Sequence, residues 1–210
     1  PISVENHEFW ACLTALNMQI KLNDLRDKWK AEGDKWPNII HNMQNRIGIN
    51  TGSMITGNMG SSMRMNYTMM GNTVDIAARL ESSAKQYGIY IQVADETYKA
   101  CKEKFIWREL DFVKVVGKSK PAKVYELIAN AGEIPLKYKK LLPAYNTALN
   151  LYQNQEWDKA IKAFMTADDL EDMFPGRTTN PSREYITRCE FFKENPPAAD
   201  WDGSWTLTKK

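Results

Sequence analysis

The pattern of hydrophobic and polar positions changes period several times along residues 1–130. Asn6–Gly33 carries apolar residues at helical spacing, which predicts a long amphipathic helix. Short β-branched or alternating runs predict strands at Arg46–Thr51, Met65–Met70, Ile89–Ala94, Phe105–Leu110, Phe112–Val116 and Ala122–Ile128. Because strands and helices alternate, we expect an α/β layer fold in which helices pack on a sheet.

A strand-to-helix turn lies at Gly71, directly after the strand Met65–Met70. Asn72 stands where a helix N-cap is expected, and Asp75 follows three residues later, which is the spacing of a capping box. Apolar residues then continue at helical spacing to about Lys85. The pattern therefore predicts a helix that Asn72 caps.

The segment before that strand contains turn signals and many methionines. Gly52-Ser53 is followed by the short run Met54–Thr56. We expect Met54–Thr56 to return as a strand beside Arg46–Thr51 and to close a hairpin at Gly57 or Gly60. The methionines of this region are expected to pack in the core or at an interface between similar faces: Met54, Met59, Met63, Met65, Met69 and Met70.

Residues 131–210 have a helical pattern and are interpreted as a separate tail. Small and large apolar residues recur in Lys137–Tyr152 and Glu156–Leu170, and Pro181 opens a third helix that runs to about Lys193. This pattern resembles a tetratricopeptide hairpin. Repeats of that kind usually need about three units for stability, so we expect the tail to dock on the rest of the chain or on a protein partner.

Composition narrows the class of protein. The 210 residues are 43% hydrophobic and 26% charged, and a net charge of +2 shows no basic field for nucleic acid. Cys12, Cys101 and Cys189 are odd in number and far apart in the sequence, which is typical of reduced thiols. The sequence has no long apolar run and no signal peptide. We expect a cytoplasmic protein, held on the cytosolic side of a membrane if an anchor precedes Pro1.

Two charges of the predicted helix share one face, because Asp75 and Arg79 are four residues apart. A helix N-terminus favours an anion through its free N–H groups and its dipole. An arginine one turn further along can bind a phosphate with two nitrogens. The alternative interpretation is an ordinary surface ion pair that contributes about a few tenths of a kcal/mol.

Four ordered stretches resemble the class III adenylyl/guanylyl cyclase catalytic domain: RIGINTG, ITGNMGS, NYTMMGNTVDIAARLES and VVGKSKPAKVYEL. Pro1–Gly33 resembles the helix that precedes the first of them, so the resemblance covers about residues 1–130. It implies a ferredoxin-like βαββαβ fold, of which this chain holds the later elements. Because the chain begins with Pro and has no initiating Met, we expect it to be N-terminally truncated.

The resemblance also implies a reaction and its cofactors. Class III cyclases convert a nucleoside triphosphate into a 3′,5′-cyclic nucleotide and pyrophosphate, and their active sites lie at a dimer interface. One side supplies two Asp that bind two Mg²⁺ or Mn²⁺ ions, and the other supplies a base-reading residue, an Asn–Arg pair and a Lys. Only the second side is expected here, with the metal-binding Asp residues upstream of Pro1. We therefore expect a homodimeric full-length adenylate cyclase and an inactive isolated chain.

Carried over residue by residue, the resemblance assigns roles to three side chains. Thr68 falls at the base-reading site, where its hydroxyl can accept from the N6 amine of adenine, and this favours ATP. Arg79 matches the transition-state arginine. Asp75 departs from the Asn that is usual at its position, because an ionised Asp accepts hydrogen bonds but does not donate them. Either Asp75 orients Arg79 or the activity is lowered.

The lysine that binds the triphosphate is less clearly matched. Val116 stands where the family often has a Lys before the glycine, whereas Lys118 follows Gly117 and Lys114 lies two residues before Val116. We favour Lys118 as the phosphate ligand over Lys114. A solvated turn lysine is the alternative.

Two other functions stay open. Asp75 and Val116 favour a catalytically silent cyclase-like module that binds a nucleotide or a partner and regulates. A guanylate cyclase is the other possibility, because Thr68 alone does not decide between ATP and GTP.

Overall fold

The structure is a computed structural model that describes residues 2–114, 121–172 and 177–206. Its elements, in chain order, are α1 (His7–Ala31), α2 (Asn38–His41), β1 (Ile47–Ile49), β2 (Ile55–Ser61), β3 (Arg64–Met70), α3 (Asn72–Ser83), β4 (Ile91–Ala94), α4 (Asp95–Cys101), β5 (Phe105–Lys114), β6 (Ala122–Asn130), α5 (Leu136–Gln153), α6 (Trp157–Asp168), α7 (Pro181–Glu194) and β7 (Trp205–Thr206). None of the helices in these ranges is both long and apolar enough to cross a bilayer.

The central sheet is mixed, and its strand order is β1-β4-β6-β5-β7. β6 runs antiparallel to both β4 and β5, whereas β1 is parallel to β4 and β7 is parallel to β5. The run predicted at Phe105–Leu110 and the described part of the next run, Phe112–Lys114, form one strand, β5, whose register against β6 shifts between Glu109 and Asp111. The predicted α/β fold with helices on a sheet is therefore confirmed.

One face of the sheet is covered by α1 and α4. Its buried core contains Cys12, Ala15, Leu16, Ile91, Val93, Cys101, Phe105 and Leu127. Cys12 and Cys101, far apart in the sequence, are unpaired neighbours whose sulfur atoms lie 3.9 Å apart. Burial raises the pKa of both thiols, which keeps them protonated. The predicted apolar stripe of α1 is buried only in part, since Ile20 is 58% exposed.

The predicted hairpin between Arg46–Thr51 and Met54–Thr56 is wrong. β2 pairs antiparallel with β3 from Ile55 opposite Met70 to Ser61 opposite Arg64, and the two strands form a separate sheet. β1 instead lies parallel to β4. The physical reason is strand length. β1 has three residues whereas β3 has seven, so β3 provides more backbone groups for β2 to pair with.

The predicted cap of α3 is also wrong. The N-cap residue is Gly71, without a side-chain cap, and Asn72 is already inside the helix. The backbone N–H groups of Val74 and Asp75 donate to the Gly71 carbonyl oxygen instead. Asn72 and Asp75 therefore do not form a capping box.

α3 packs against β1 so closely that no side chain fits between them at Gly48. A Cβ at Gly48 of β1 would lie 2.1 Å from the carbonyl oxygen of Ala77 and 2.4 Å from the nitrogen of Glu81. Arg46 and Glu81 form an ion pair at 3.3 Å beside this contact. Only glycine leaves room for the helix at this point.

The C-terminal helices form one apolar cluster with the tryptophans that follow them. It is built around Leu141, Tyr145, Ala148, Leu149, Tyr152, Ala160, Phe164, Ala167, Tyr185, Cys189 and Phe192, with Trp201 and Trp205 packed against it. α7 begins at Pro181 as predicted, and the Asn180 side chain caps it by accepting from the Arg183 N–H. A tetratricopeptide-like arrangement stays a prediction.

These helices dock on the sheet, which is one of the two outcomes that the sequence left open. The hydroxyls of Tyr145 and Tyr185 donate to the carbonyl oxygen of Leu110 in β5, at 3.4 Å and 2.9 Å. β7, which follows α7, pairs with the end of β5. The division into residues 1–130 and 131–210 stays a prediction, and the two parts share a buried interface.

Buried ion pairs lie in that interface. Arg108 of β5, 1% exposed, donates to Glu126 of β6 at 2.8 Å and to Glu171, which follows α6. Arg188 of α7, also 1% exposed, donates to Asp111 of β5 at 2.6 Å. Burial by itself lowers the pKa of each arginine, but the carboxylates beside them raise it above its usual value. Both guanidinium groups therefore stay charged inside the protein.

We predict that Gly48→Ala destabilises the fold strongly. Its Cβ would collide with backbone atoms of α3, which cannot rotate away, and overpacking of this kind costs about 1–3 kcal/mol. Gly57→Ala in β2 is the matched control, because nothing lies within 4 Å of the added Cβ. Urea unfolding of both variants measures the difference. Equal midpoints would show that α3 can move away from β1 without cost.

We predict that the protein loses stability above about pH 10, the pKa of a tyrosine in an unfolded chain. Burial raises the pKa of Tyr87, Tyr145 and Tyr185 well above that value. Because the folded state then holds protons that the unfolded state releases, the stabilisation is complete below pH 10 and is lost as pH rises further. Urea unfolding across this range measures it, with the exposed Tyr67→Phe as control. A free energy of unfolding that stays constant to about pH 11 would contradict the prediction.

Candidate active site

Thr68 lies in the middle of β3, opposite Gly57 of β2. The whole of β3 is exposed in the single chain, and Thr68 with it. Beside it, the hydroxyl of Tyr67 donates to that of Thr56 at 3.2 Å, which links the two strands on their other face. The Thr68 hydroxyl is therefore presented on an open strand surface.

Asp75 and Arg79 lie on the outer face of α3, and both are exposed. The inner face buries Ile76 and Leu80, which are 8% and 4% exposed. The i,i+4 placement that the sequence predicts is confirmed, because α3 is helical throughout Asn72–Ser83. Arg79 is thus directed away from the core of its own chain. It lies on a surface that a second molecule can reach.

A continuous strand–turn–helix unit carries these three side chains. β3 ends at Met70, Gly71 makes the turn, and α3 begins at Asn72. The side chain of Asn50 holds the start of the helix, because its amide donates to the Thr73 carbonyl oxygen at 3.0 Å. Sequence reasoning missed the role of Asn50, although it lies inside the RIGINTG stretch.

The lysine of the site is not located by the structure. Lys118 and Val116 lie outside the described residues. β5 ends at Lys114, and only the backbone of that residue is described. The assignment of a phosphate contact to Lys118 or Lys114 stays a prediction.

The described residues do not fit a metal site. Across 2–114, 121–172 and 177–206, no three His, Cys, Asp or Glu side chains are grouped so that they could hold an ion. Asp75 is the one carboxylate among the predicted site residues. No step of a reaction is therefore assigned to a metal ion bound by these residues.

A family model described as the adenylate and guanylate cyclase catalytic domain matches residues 3–129. The chain belongs to this family. The match includes Thr68, Asp75 and Arg79, and it ends before α5. The C-terminal helices are thus an addition to the matched cyclase domain.

Relatives of both nucleotide specificities are similar to this cyclase chain. Adenylate cyclase 1 of Rhizobium meliloti is 30% identical over 128 residues, which are 61% of this chain and 18% of that protein. Guanylate cyclase beta of Plasmodium falciparum is 30% identical over 156 residues, which are 72% of this chain and 5% of that protein. This chain therefore spans less than a fifth of the length of either relative.

A solved structure of a bacterial light-regulated adenylyl cyclase has a similar fold. It superimposes with a TM-score of 0.50 and 27% identity, over 67% of this chain and 38% of that chain. The mixed sheet and its helices thus match a class III cyclase structure, as the sequence predicts.

We predict that Arg79→Ala and Asp75→Asn leave the stability of the cyclase chain within about 0.5 kcal/mol of the original, as is usual for exposed positions. Both side chains are on the exposed face of α3. Leu80→Ala, one position along the same helix and 4% exposed, should cost about 2–5 kcal/mol. Thermal unfolding of the three variants checks this. A large loss for Arg79→Ala would mean that the arginine has a structural role.

Proposed function

We propose that this chain forms the base-reading and transition-state side of an adenylate cyclase active site. The reaction is the conversion of ATP into 3′,5′-cyclic AMP and pyrophosphate, in a site completed by a second subunit. The observation that carries the proposal is the outward placement of Arg79 on α3 in a chain that belongs to the cyclase family. Thr68, on the strand that leads into α3, supports the choice of adenine.

Each residue has a defined part in this proposal. The ribose 3′-oxygen forms a bond to the α-phosphorus, its proton is released, and the bond from that phosphorus to the bridging oxygen of pyrophosphate breaks. Negative charge grows on the phosphate oxygens, and the Arg79 guanidinium stabilises it through two N–H groups. Thr68 accepts a hydrogen bond from the adenine amine, and Lys118 binds the triphosphate.

A homodimer is part of the proposal, and the hairpin of β2 and β3 supports it. The hairpin and its flanks expose large apolar side chains in the single chain, each at least half exposed: Met54, Ile55, Met63, Met65, Tyr67, Met69 and Met70. Large apolar side chains exposed along one hairpin favour an interaction site. Methionines adapt their shape to a partner surface, so a second copy is the occupant that we propose.

The metal requirement lies with residues other than those described. The family resemblance implies two Mg²⁺ or Mn²⁺ ions. When bound, they would supply positive charge that neutralises the negative charge of the triphosphate. The described residues offer no grouped ligands, so in this proposal the carboxylates come from residues outside the described ones. The contribution of this chain is then binding and positioning of the nucleotide.

Two alternative functions are distinguished from adenylate cyclase by the same assay. A catalytically silent module is favoured by Asp75, because an exposed carboxylate one turn from Arg79 repels a triphosphate. A guanylate cyclase is favoured by the Plasmodium relative. Both make different predictions for the same assay.

We predict that the intact gene product forms cyclic AMP from ATP with Mn²⁺ present, and that Arg79→Ala lowers kcat by about 10²–10³ with little change in KM. Lys85→Ala, an exposed cation just after α3, is the control and should leave kcat unchanged. Measuring cyclic nucleotide from ATP and GTP separately tests the specificity.

The outcomes distinguish the three functions. More product from GTP than from ATP would replace adenylate by guanylate cyclase. No product from either nucleotide, in an intact protein that still binds ATP, would establish the silent module. In that case Asp75→Asn should restore some activity if the carboxylate is the obstacle.

A further inference from the structure

All three guanidinium nitrogens of Arg188, in α7, donate hydrogen bonds in the interior of the protein. Nη1 donates to Asp111 of β5 at 2.6 Å, Nη2 donates to the Tyr87 hydroxyl at 3.2 Å, and Nε donates to Glu184 at 3.2 Å. The carbon of the guanidinium lies 4.8 Å from the centre of the Trp205 ring, within the range of a cation–π contact. One side chain of the C-terminal helices thus contacts two elements of the cyclase domain.

Tyr87 is the contact that concerns the active site, because it lies in the turn that directly follows α3. It is fully buried, and its hydroxyl donates to the same Asp111 oxygen at 2.5 Å. Asp111 therefore accepts from both Tyr87 and Arg188, and the three groups form a closed network. The end of α3 is therefore tied to β5 by the Tyr87–Asp111 hydrogen bond, and Arg188, which lies outside the matched domain, donates to both of these groups.

Other residues of the same C-terminal segment enclose this turn. Gln86 donates to Glu184 at 2.7 Å, and Arg177 donates to the carbonyl oxygen of Gly88 at 2.9 Å. A Cβ at Gly88 would lie 2.1 Å from the carbonyl oxygen of Thr179, so the two backbones are in direct contact. The C-terminal segment holds the turn by side-chain and backbone contacts together.

α3 is consequently fixed at both ends. Asn50 holds its start, the contact with Gly48 holds its inner face, and Tyr87 holds the turn after it. Arg79 lies between these anchors on the outer face. A displacement of about 1 Å in a positioned catalytic group can cost about 10²-fold in rate, so the anchor at Tyr87 matters for the chemistry of Arg79.

We infer that Arg188 is a positioning residue of the cyclase site: through Asp111 and Tyr87 it holds the end of α3 and thereby the place of Arg79. The inference rests on the proposed function, in which Arg79 contacts the phosphates. It gives the C-terminal helices a role in the reaction, although the family match ends at residue 129. They are a structural support of the site instead of an independent appendage.

The experiment uses the intact protein and two variants of the network. Tyr87→Phe removes one hydroxyl with almost no change of volume, and Arg188→Lys keeps the charge but loses the paired N–H contacts. Arg183→Lys is the matched control, because Arg183 is on the same helix and pairs at the surface with Asp168, away from the cyclase domain. All proteins are compared by kcat and KM for ATP and by hydrogen exchange of the α3 amides.

We expect both network variants to lower kcat by about 10-fold or more with a small change in KM, and to speed exchange in α3. The control should change neither quantity. In an Arg79→Ala background, Tyr87→Phe should lower kcat no further, because the positioned group is then absent. A purely structural role would give additive losses.

Besides additive losses, two results would overturn the inference, and a third would reject the proposed function on which it rests. Exchange in α3 that is the same in the original protein and in Tyr87→Phe would show that the network does not hold the helix. Faster exchange with unchanged kcat would show that the end of α3 does not place Arg79. An intact protein that forms no cyclic nucleotide rejects the proposed function, whereas the exchange data still report whether the helix is held.

Discussion

Buried arginines matched with carboxylates are the interaction on which the rest of this structure depends. Arg108 and Arg188 are each 1% exposed, and each meets its carboxylate partners where the C-terminal helices dock on β5. Removing one partner from such a pair costs about 3–5 kcal/mol, because a buried charge is left behind. The sheet of the cyclase domain and the C-terminal helices therefore share a buried interface that contains matched charges.

This buried, paired interior contrasts with the openness of the candidate site. Thr68, Asp75 and Arg79 are all exposed, and the hairpin that carries Thr68 exposes methionines along its length. The groups proposed for chemistry are thus held by a buried scaffold but face solvent in a single chain. Such an arrangement is suited to a site that a second molecule completes, since the partner can supply the missing wall and exclude water.

Sequence reasoning succeeded where the information is local. The helical face shared by Asp75 and Arg79, the start of α7 at Pro181 and the alternation of strands and helices follow from short-range patterns, and the structure confirms them. It failed where two compatible local choices compete. Met54–Thr56 suits a strand beside β1 as well as beside β3, and the pairing that forms is the longer one, with β3.

By itself, the sequence determined the family, the elements that carry Thr68 and Arg79, and the departure at Asp75, because ordered motifs and helical periodicity are properties of neighbouring residues. Only the tertiary structure decided that Cys12 meets Cys101, that Gly48 admits α3, and that Arg188 reaches Tyr87. These pairs are separated by long stretches of chain, and no periodicity links them. Their contacts exist because packing of the whole domain brings their elements together.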